Sequence, residues 1–279
     1  MQLDPQMLAV MKKRATLTSE SDDLATLPIE EMRGAYNAER AWWTEIKPDM
    51  HDVFELAIPG PVREVPVRIY RPLNASDGPT LLYLHGGGWV VGNLDTHDRV
   101  MRLLADFSSA CVVGVDYALS PEYKFPVAIS EAQAVIEWLQ AKGESYSLDS
   151  SRLGIGGDSA GANMAVGVTQ LCHQQSPGII QFLLLYYGAY GLTQSRSWEQ
   201  YGNVEFEFTP EEKEFYLTSY LTETRERDDP RFKVLNGDIR LLPTAFIGAA
   251  QCDPLQDDST ALYDAMRAAG KQATLKIYP

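Results

Sequence analysis

The residues best suited to chemistry lie in the stretch RLGIGGDSAGANMA, which has Ser159 at its centre. A short apolar strand pattern precedes the serine, and a run of small residues typical of a close-packed helix follows it. A serine on a sharp strand-to-helix turn needs neighbours without bulky Cβ substituents, and Gly157 and Gly161 meet that need. A helix beginning at Ala160 directs free N–H groups and its positive dipole end toward the serine. The stretch therefore predicts a site that stabilises an oxyanion beside Ser159.

A second glycine-rich segment, HGGGW at positions 85–89, follows directly on the apolar run at 80–84. A continuous apolar run of this length is typical of a strand that is covered on both faces. Three consecutive glycines let the backbone approach a ligand closely, so that their N–H groups can bind an anion. A flexible turn is the alternative interpretation. A histidine and three glycines after a buried strand, however, match the loop that forms the oxyanion hole of lipases and esterases.

Alternating strand and helix patterns must position these two segments. Two strand patterns at 51–71 predict an antiparallel entry to a sheet. Further strand patterns occupy 80–84, 111–117, 153–156, 182–187, 244–250 and 273–278, and helical patterns lie at 95–107, 127–141, after Ser159, and at 259–269. The alternation predicts an α/β fold with a mostly parallel central sheet and helices on both faces. Ligands of such sheets bind outside the carboxyl ends of the strands, where both glycine-rich segments fall.

Two helical segments lie outside this alternation. Residues 1–45 carry two helical patterns, which predict an N-terminal helical cap in front of a catalytic domain at 46–279. An acidic and aromatic insertion at about 191–227 follows the sixth strand and is a candidate lid. Trp42 and Trp43 lie close to the start of the main domain. They are either ordinary packing residues, which we favour, or residues that line a lid over a pocket.

The composition restricts the partners and the compartment. The 38 acidic and 24 basic residues give a net charge of -14, which repels a nucleic-acid backbone or an anionic bilayer. The three cysteines are odd in number and lack C-x-x-C spacing, which argues against a disulfide framework or a zinc site. The N-terminus is unlike a signal peptide, and no run of about 18 apolar residues occurs. We therefore expect a cytoplasmic protein without nucleic-acid or membrane partners.

Three aspartates follow the strand pattern at 244–250. Asp257 and Asp258 precede a helical pattern, and we interpret them as N-caps of that helix. Asp253 stands at the carboxyl end of the strand, after Ser159 in the chain. This is the order in which α/β-hydrolases place the serine and the acid of their triad. A triad acid holds a histidine in the correct tautomer and stabilises its imidazolium form.

The segments HGGGWVVGNLDTHDR, DYALSPEYKFP, GDSAGANMA and CDPLQDD, in this order and spacing, resemble the hormone-sensitive-lipase-like esterases and are closest to bacterial acetyl esterases. The resemblance covers nearly the whole chain. It implies an α/β-hydrolase fold, short-chain acyl esters as substrates, and neither a metal nor an organic cofactor. It also implies Ser159 as the nucleophile, Asp253 as the triad acid, and oxyanion donors in the backbone of Gly86, Gly87 and Ala160. We expect the walls of the substrate pocket to include Trp89, Tyr187 and Tyr190.

The chain departs from this family at its end. In the family, the triad histidine follows a Tyr-Pro pair within a few residues, whereas this sequence stops at Tyr278-Pro279. The histidines of the chain are His51, His85, His97 and His173, and none is at the triad position. Two explanations compete: the native protein continues past Pro279, or the chain ends there. We favour the first, because a domain without its closing helix leaves its last strand uncovered. The polypeptide as written should keep only residual catalysis, roughly 10³ to 10⁴ over water.

Two other functions fit the same pattern. Plant hormone receptors that resemble this family lack the triad histidine, so a small-molecule binding protein with an impaired site is one alternative. Amide hydrolysis at the same triad is the other, since it differs only in the leaving group. An exposed last strand could also join two copies of the chain in a homodimer.

Overall fold

A computed structural model of the chain describes residues 4–17, 27–74, 78–206 and 208–279. Its strands are β1 (Asp52–Pro59), β2 (Glu64–Arg71), β3 (Thr80–Leu84), β4 (Cys111–Val115), β5 (Leu153–Asp158), β6 (Phe182–Tyr186), β7 (Thr244–Ala250) and β8 (Ala273–Tyr278). They form an eight-stranded sheet in the order β1-β2-β4-β3-β5-β6-β7-β8. The pairs β1–β2 and β2–β4 are antiparallel and the other pairs are parallel. The predicted mostly parallel sheet with an antiparallel entry is therefore confirmed.

Helices cover both faces of this sheet. They are α1 (Pro5–Leu17), α2 (Ile29–Trp43), α3 (Asp98–Ser108), α4 (Val127–Lys142), α5 (Ala160–Gln175), α6 (Arg196–Tyr201), α7 (Pro210–Tyr220) and α8 (Gln256–Ala268). Successive side chains of a strand point to opposite faces. Accordingly, Leu82 and Leu84 of β3 pack in the large core with α4, α5 and α8, whereas Leu81 and Tyr83 pack in a smaller core with α3. The central strands are thus buried on both faces, as their apolar sequences predict.

The first part of the chain packs next to the glycine-rich loop. Met32 of α2 lies in a hydrophobic cluster with Val90 and Val91, which follow the loop. Arg33 donates to the carbonyl oxygens of Val90 at 2.9 Å and Ser120 at 3.0 Å. Residues 1–3 and 18–26 of the predicted cap lie outside the described residues. The division into a cap at 1–45 and a catalytic domain at 46–279 stays a prediction.

The insertion after β6 contains α6 and α7 and is bound to the start of α8. Oδ1 of Asp258 accepts hydrogen bonds from three successive backbone amides, those of Tyr190, Gly191 and Leu192, at 2.7, 2.8 and 3.1 Å. Asp257 accepts from the amide of Ser197 at 2.9 Å. The interpretation of Asp257 and Asp258 as N-caps is wrong, because α8 begins before them and their carboxylates satisfy amides of the insertion instead.

Strand β8 is paired on one side, by β7, among the residues that the structure describes. The last side chains of β8, Ile277 and Tyr278, are each 42% exposed. A homodimer contact at this edge stays a prediction. Within the described ranges, no helix has the length and apolar character needed to cross a membrane.

Candidate active site

Ser159 occupies the turn between β5 and α5 in a backbone conformation that few residues other than glycine adopt. Its φ of 51° and ψ of -117° lie outside the main allowed regions, and such strain concentrates at functional sites. A Cβ atom on Gly157 or on Gly161 would overlap the carbonyl oxygen of Leu84 on β3. Only glycine therefore fits on either side of the serine, as the sequence pattern predicts.

The surroundings of Ser159 leave its hydroxyl group available. The serine side chain does not cap α5, and it lines a pocket at the carboxyl edge of the sheet. Its backbone N–H donates to the carbonyl oxygen of Tyr186 at 2.9 Å, which fixes the turn against β6. The amide of Ala160 is the first in α5 and has no acceptor within the helix. The sixteen-residue helix also brings its positive dipole end to this point.

Two carbonyl groups of the glycine-rich loop are held by hydrogen bonds that fix the direction of the next amide. The oxygen of Gly86 accepts from Nδ1 of His85 at 2.7 Å. The oxygen of Gly87 accepts from the amides of Val90 and Val91, both at 3.0 Å. In a trans peptide the N–H points opposite to the C=O. The N–H groups of Gly87 and Gly88 are therefore turned away from these contacts, and neither donates to a described residue.

His85 can hold the loop because it is neutral. Its imidazole is buried and stacks on Tyr117 with ring centroids 4.3 Å apart. Burial, with the charge of the neighbouring His97, lowers the pKa of His85 to about 3. A carbonyl oxygen can only accept a hydrogen bond, so the proton of the neutral ring lies on Nδ1. The hydroxyl of Tyr117 donates to the backbone oxygen of His85 at 2.7 Å and fixes the start of the loop.

The amide of Gly86 is occupied by a carboxylate. It donates to Oδ1 of Asp158 at 3.1 Å. The sequence-based assignment of Gly86 as an oxyanion donor therefore falls on an N–H that is already bonded. Gly88, which the sequence analysis did not select, has a free amide and lines the same pocket as Ser159. The positive φ values of Gly87 and Gly88, 123° and 58°, explain why glycine is required at both positions.

The pocket above Ser159 has a volume of about 400 Å³. Its floor is formed by Gly88, Ser159 and Ala160. Its walls come mainly from the insertion and are mostly apolar and aromatic, and they include Leu192, Trp198, Phe208, Tyr216, Leu217 and Phe232. Lys213 of α7 also lines it, with its ammonium 4.1 Å from the centre of the Trp198 ring. The sequence predicts the insertion as a candidate lid but does not point to these individual wall residues.

Of the three predicted pocket walls, the structure brings only Trp89 to this pocket. Trp89 is buried and stacks in parallel on Tyr220 of α7, with centroids 4.5 Å apart. Tyr190 is fully buried in the large core. Tyr187 is 40% exposed and lines a separate pocket of about 310 Å³ with Trp43 and His97. The predicted placement of Tyr187 and Tyr190 in the serine pocket thus disagrees with the geometry, because the chain turns irregularly after β6.

Asp253 follows β7 at the same edge of the sheet as Ser159. Its half-buried carboxylate accepts one hydrogen bond, from the amide of Leu255 at 2.7 Å. Burial raises the pKa of Asp253 to about 6, the Leu255 bond opposes this, and the nearby Asp258 adds to it. No hydrogen bond joins Asp253 to Ser159 among the described residues. The carboxyl group is therefore at the predicted strand end, and no cationic side chain of the described residues lies within 4 Å of it.

The four histidines, all within the described part of the chain, are engaged away from Ser159 and Asp253. His51 is exposed at the start of β1. His173 contacts the carbonyl oxygen of Leu241 through Nδ1 at 2.6 Å and accepts from the amide of Ile180 through Nε2 at 3.1 Å. His97 has its Nε2 3.5 Å from Oδ2 of Asp158. Among the described residues, no histidine forms a hydrogen bond with Ser159 or Asp253.

Comparisons with known proteins identify the relatives of this chain. A family model described as an alpha/beta hydrolase fold matches residues 81–279. An acetyl esterase of Salmonella paratyphi A is 37% identical over 275 residues, which cover 96% of this chain and 84% of the relative. A hyperthermophilic esterase of the archaeon Pyrobaculum calidifontis superposes with a TM-score of 0.92 at 28% identity, over 100% of this chain and 89% of that chain.

A second solved structure has the same TM-score as the Pyrobaculum calidifontis esterase. An ester hydrolase from the metagenome of Lake Arreo, complexed with a derivative of bipyridine phosphonate, has a TM-score of 0.92 and 33% identity, over 100% of this chain and 90% of that chain. The family match spans most of the sheet, and the relatives extend it to the N-terminal helices. The chain therefore belongs to the α/β-hydrolase-fold family, as a member of its hormone-sensitive-lipase-like esterases.

Proposed function

We propose that the chain is a serine carboxylesterase for small esters with short acyl groups. The observation that carries the proposal is the position of Ser159, strained on its turn, at the floor of a pocket that also contains Gly88 and the free start of α5. An acetyl esterase and an ester hydrolase among the similar proteins support the same reaction class. The small volume and apolar walls of the pocket support short acyl groups.

In the proposed reaction, Oγ of Ser159 attacks the carbonyl carbon of the ester. The carbonyl oxygen becomes an oxyanion, which the amides of Gly87, Gly88 and Ala160 bind. Collapse of this intermediate breaks the bond to the alcohol, which leaves with a proton, and the acyl group stays on Ser159. Water then attacks the acyl-enzyme in the same way and releases the carboxylic acid. Loss of a single oxyanion donor typically lowers kcat about 10²- to 10³-fold.

The Ser159 proton needs an acceptor, and a triad supplies an imidazole for this step. We propose that Asp253 orients that imidazole. The raised pKa of Asp253 supports this role, because a buried carboxylate with one amide donor gains most from an imidazolium beside it. Since no described histidine forms a hydrogen bond with Asp253 or Ser159, we expect slow hydrolysis by the 279-residue polypeptide, and free imidazole added to the solution should raise its rate.

The test combines labelling and chemical rescue. With imidazole present as the base, a phosphonate with a p-nitrophenol leaving group should modify Ser159, as peptide mass spectrometry would show, and should leave the Ser159→Ala variant unlabelled. Hydrolysis of p-nitrophenyl acetate should be slow and should accelerate at least tenfold with imidazole beyond the imidazole background. A folded protein that neither reacts with the phosphonate nor responds to imidazole would contradict the esterase proposal and favour a binding protein.

A further inference from the structure

Asp158 contacts the segments that carry the two halves of the proposed site. It is the last residue of β5 and immediately precedes Ser159. Its Oδ1 accepts from the amide of Gly86 at 3.1 Å and from the hydroxyl of Tyr83 at 2.8 Å. The residue that leads into the nucleophile turn thus also holds the glycine-rich loop, which follows a different strand. Neither the reaction nor the predicted triad gives Asp158 a role.

The contact with Gly86 determines where the free amides of the loop begin. The peptide between His85 and Gly86 is held at both ends, because its oxygen accepts from Tyr117 at 2.7 Å and its N–H donates to Asp158. The next two peptides are held only through their carbonyl groups, which leaves the N–H groups of Gly87 and Gly88 free. The peptide held by Asp158 therefore anchors the segment that carries the free amides of Gly87 and Gly88.

The Asp158 carboxylate has little freedom to move. Asp158 is 7% exposed as a residue, and a Cβ atom on Gly86 would overlap its Oδ2. Oδ2 also accepts from the hydroxyl of Tyr187 at 3.3 Å and lies 3.5 Å from Nε2 of His97. Hydrogen bonds and close packing thus hold both carboxylate oxygens, so the carboxylate keeps the loop and the turn at one separation.

We infer that Asp158 is a positioning residue that sets the distance between the Ser159 hydroxyl and the oxyanion-binding amides of Gly87 and Gly88. This inference rests on the proposed esterase function. Asp158 does not touch the substrate in this scheme and transfers no proton. Its contribution is an acceptor oxygen at the correct place for Gly86, rather than a negative charge.

Two substitutions separate these contributions. Asp158→Ala removes the acceptor, whereas Asp158→Asn keeps an oxygen that can face Gly86 and Tyr83 while its amide faces Tyr187 and His97. A displacement of about 1 Å in a reacting group can lower a rate about 10²-fold. Imidazole-rescued hydrolysis of p-nitrophenyl acetate should therefore show kcat about 10²-fold lower in Asp158→Ala, with KM within threefold. Asp158→Asn should stay within tenfold of the parent chain.

Amide hydrogen exchange supplies a readout that does not need catalysis. The Gly86 amide should exchange slowly in the parent chain and in Asp158→Asn, and rapidly in Asp158→Ala. If the parent chain neither labels at Ser159 nor responds to imidazole, the esterase proposal fails, while the exchange result still tests the contact. The inference would be overturned if folded Asp158→Ala kept kcat within threefold of the parent value. It would also be overturned if Asp158→Asn lost 10²-fold, which is the deciding measurement if Asp158→Ala does not fold.

Discussion

Nδ1 of His85 lies 2.7 Å from the carbonyl oxygen of Gly86, the residue that follows it in the chain. The imidazole thus fixes the peptide plane whose other end is the Gly87 amide. Because the ring is buried and uncharged, this hydrogen bond is unaffected by the titration of surface groups. The histidine of the HGGG segment therefore serves the geometry of the loop and not proton transfer at Ser159.

We expect acid to destabilise the protein through His85. In the folded chain its pKa is about 3, whereas a free histidine has a pKa of about 6.5. Between these values the unfolded chain binds a proton that the folded chain does not, so the free energy of unfolding should fall as the pH falls, by up to about 1.4 kcal/mol per unit. Urea unfolding from pH 7 to pH 4 would measure the slope.

The matched variant is His85→Asn, whose side-chain amide can still donate to Gly86 but does not titrate. Its unfolding free energy should depend less on pH than that of the parent chain. Equal slopes in the two proteins would show that other groups cause the acid sensitivity.

Gly161→Ala should destabilise the protein, because the added Cβ atom would overlap the backbone oxygen of Leu84. Overpacking of this kind typically costs about 1–3 kcal/mol, and here the obstacle is backbone that cannot rotate away. Gly34→Ala in α2 is the matched control, since a Cβ there meets nothing within 4 Å. That change should stabilise its helix by roughly 0.5–1 kcal/mol. Thermal unfolding of both variants would test the contrast, and similar shifts in Tm would contradict it.

Ser159→Gly should yield a more stable protein than Ser159→Ala. The φ of 51° strains any residue with a Cβ atom, and glycine relieves that strain. The greater flexibility of glycine in the unfolded chain offsets part of the gain, so we expect a difference of about 1 kcal/mol. Both variants lack the hydroxyl group, so the comparison isolates the backbone. Chemical denaturation would measure the difference in free energy of unfolding. An alanine variant at least as stable as the glycine variant would show that the backbone at position 159 is not strained.

The substitution Asp253→Asn should stabilise the protein more as the pH rises. Because the pKa of Asp253 is raised to about 6, the folded chain binds more protons than the unfolded chain between about pH 4 and pH 6. The free energy of unfolding of the parent protein therefore falls as the pH rises through that window. Above about pH 6 the half-buried carboxylate is charged. Unfolding measured at pH 4 and pH 8 should show a gain for the variant at pH 8 only. A gain of equal size at pH 4 would point to packing instead of charge.

The nucleophile turn and the glycine-rich loop could be predicted from the sequence because glycine specifies a backbone conformation locally. Gly157 and Gly161 flank a serine with positive φ, and Gly87 and Gly88 each have positive φ. The strands of the parallel sheet could be predicted equally well, because burial on both faces gives continuous apolar runs. These features depend on few residues that are close together in the chain.

Local sequence patterns could not predict which backbone amides of the glycine-rich loop are free to bind an oxyanion. The Gly86 N–H is occupied by Asp158, 72 residues further along the chain, and no local spacing reports such a contact. The directions of the Tyr187 and Tyr190 side chains depend on the turn after β6, where Tyr187 has a φ of 38°. No local sequence pattern indicates that conformation. Similarly, α7 packs against Val90 and Val91 through Phe215 and lines the pocket through Lys213. Its sequence therefore has no single apolar stripe that would indicate these two contacts.

The hydrophobic cluster of Met32, Val90 and Val91 also includes Tyr216 of α7, whose ring leaves no room for a Cβ atom on Gly88. One group of side chains thus joins the N-terminal helices, the insertion and the loop that presents the amides. Outward movement of the insertion to admit a molecule would withdraw support from that loop. We therefore expect substrate entry and turnover to be successive steps, with closure of the insertion over the bound substrate restoring the geometry of the loop.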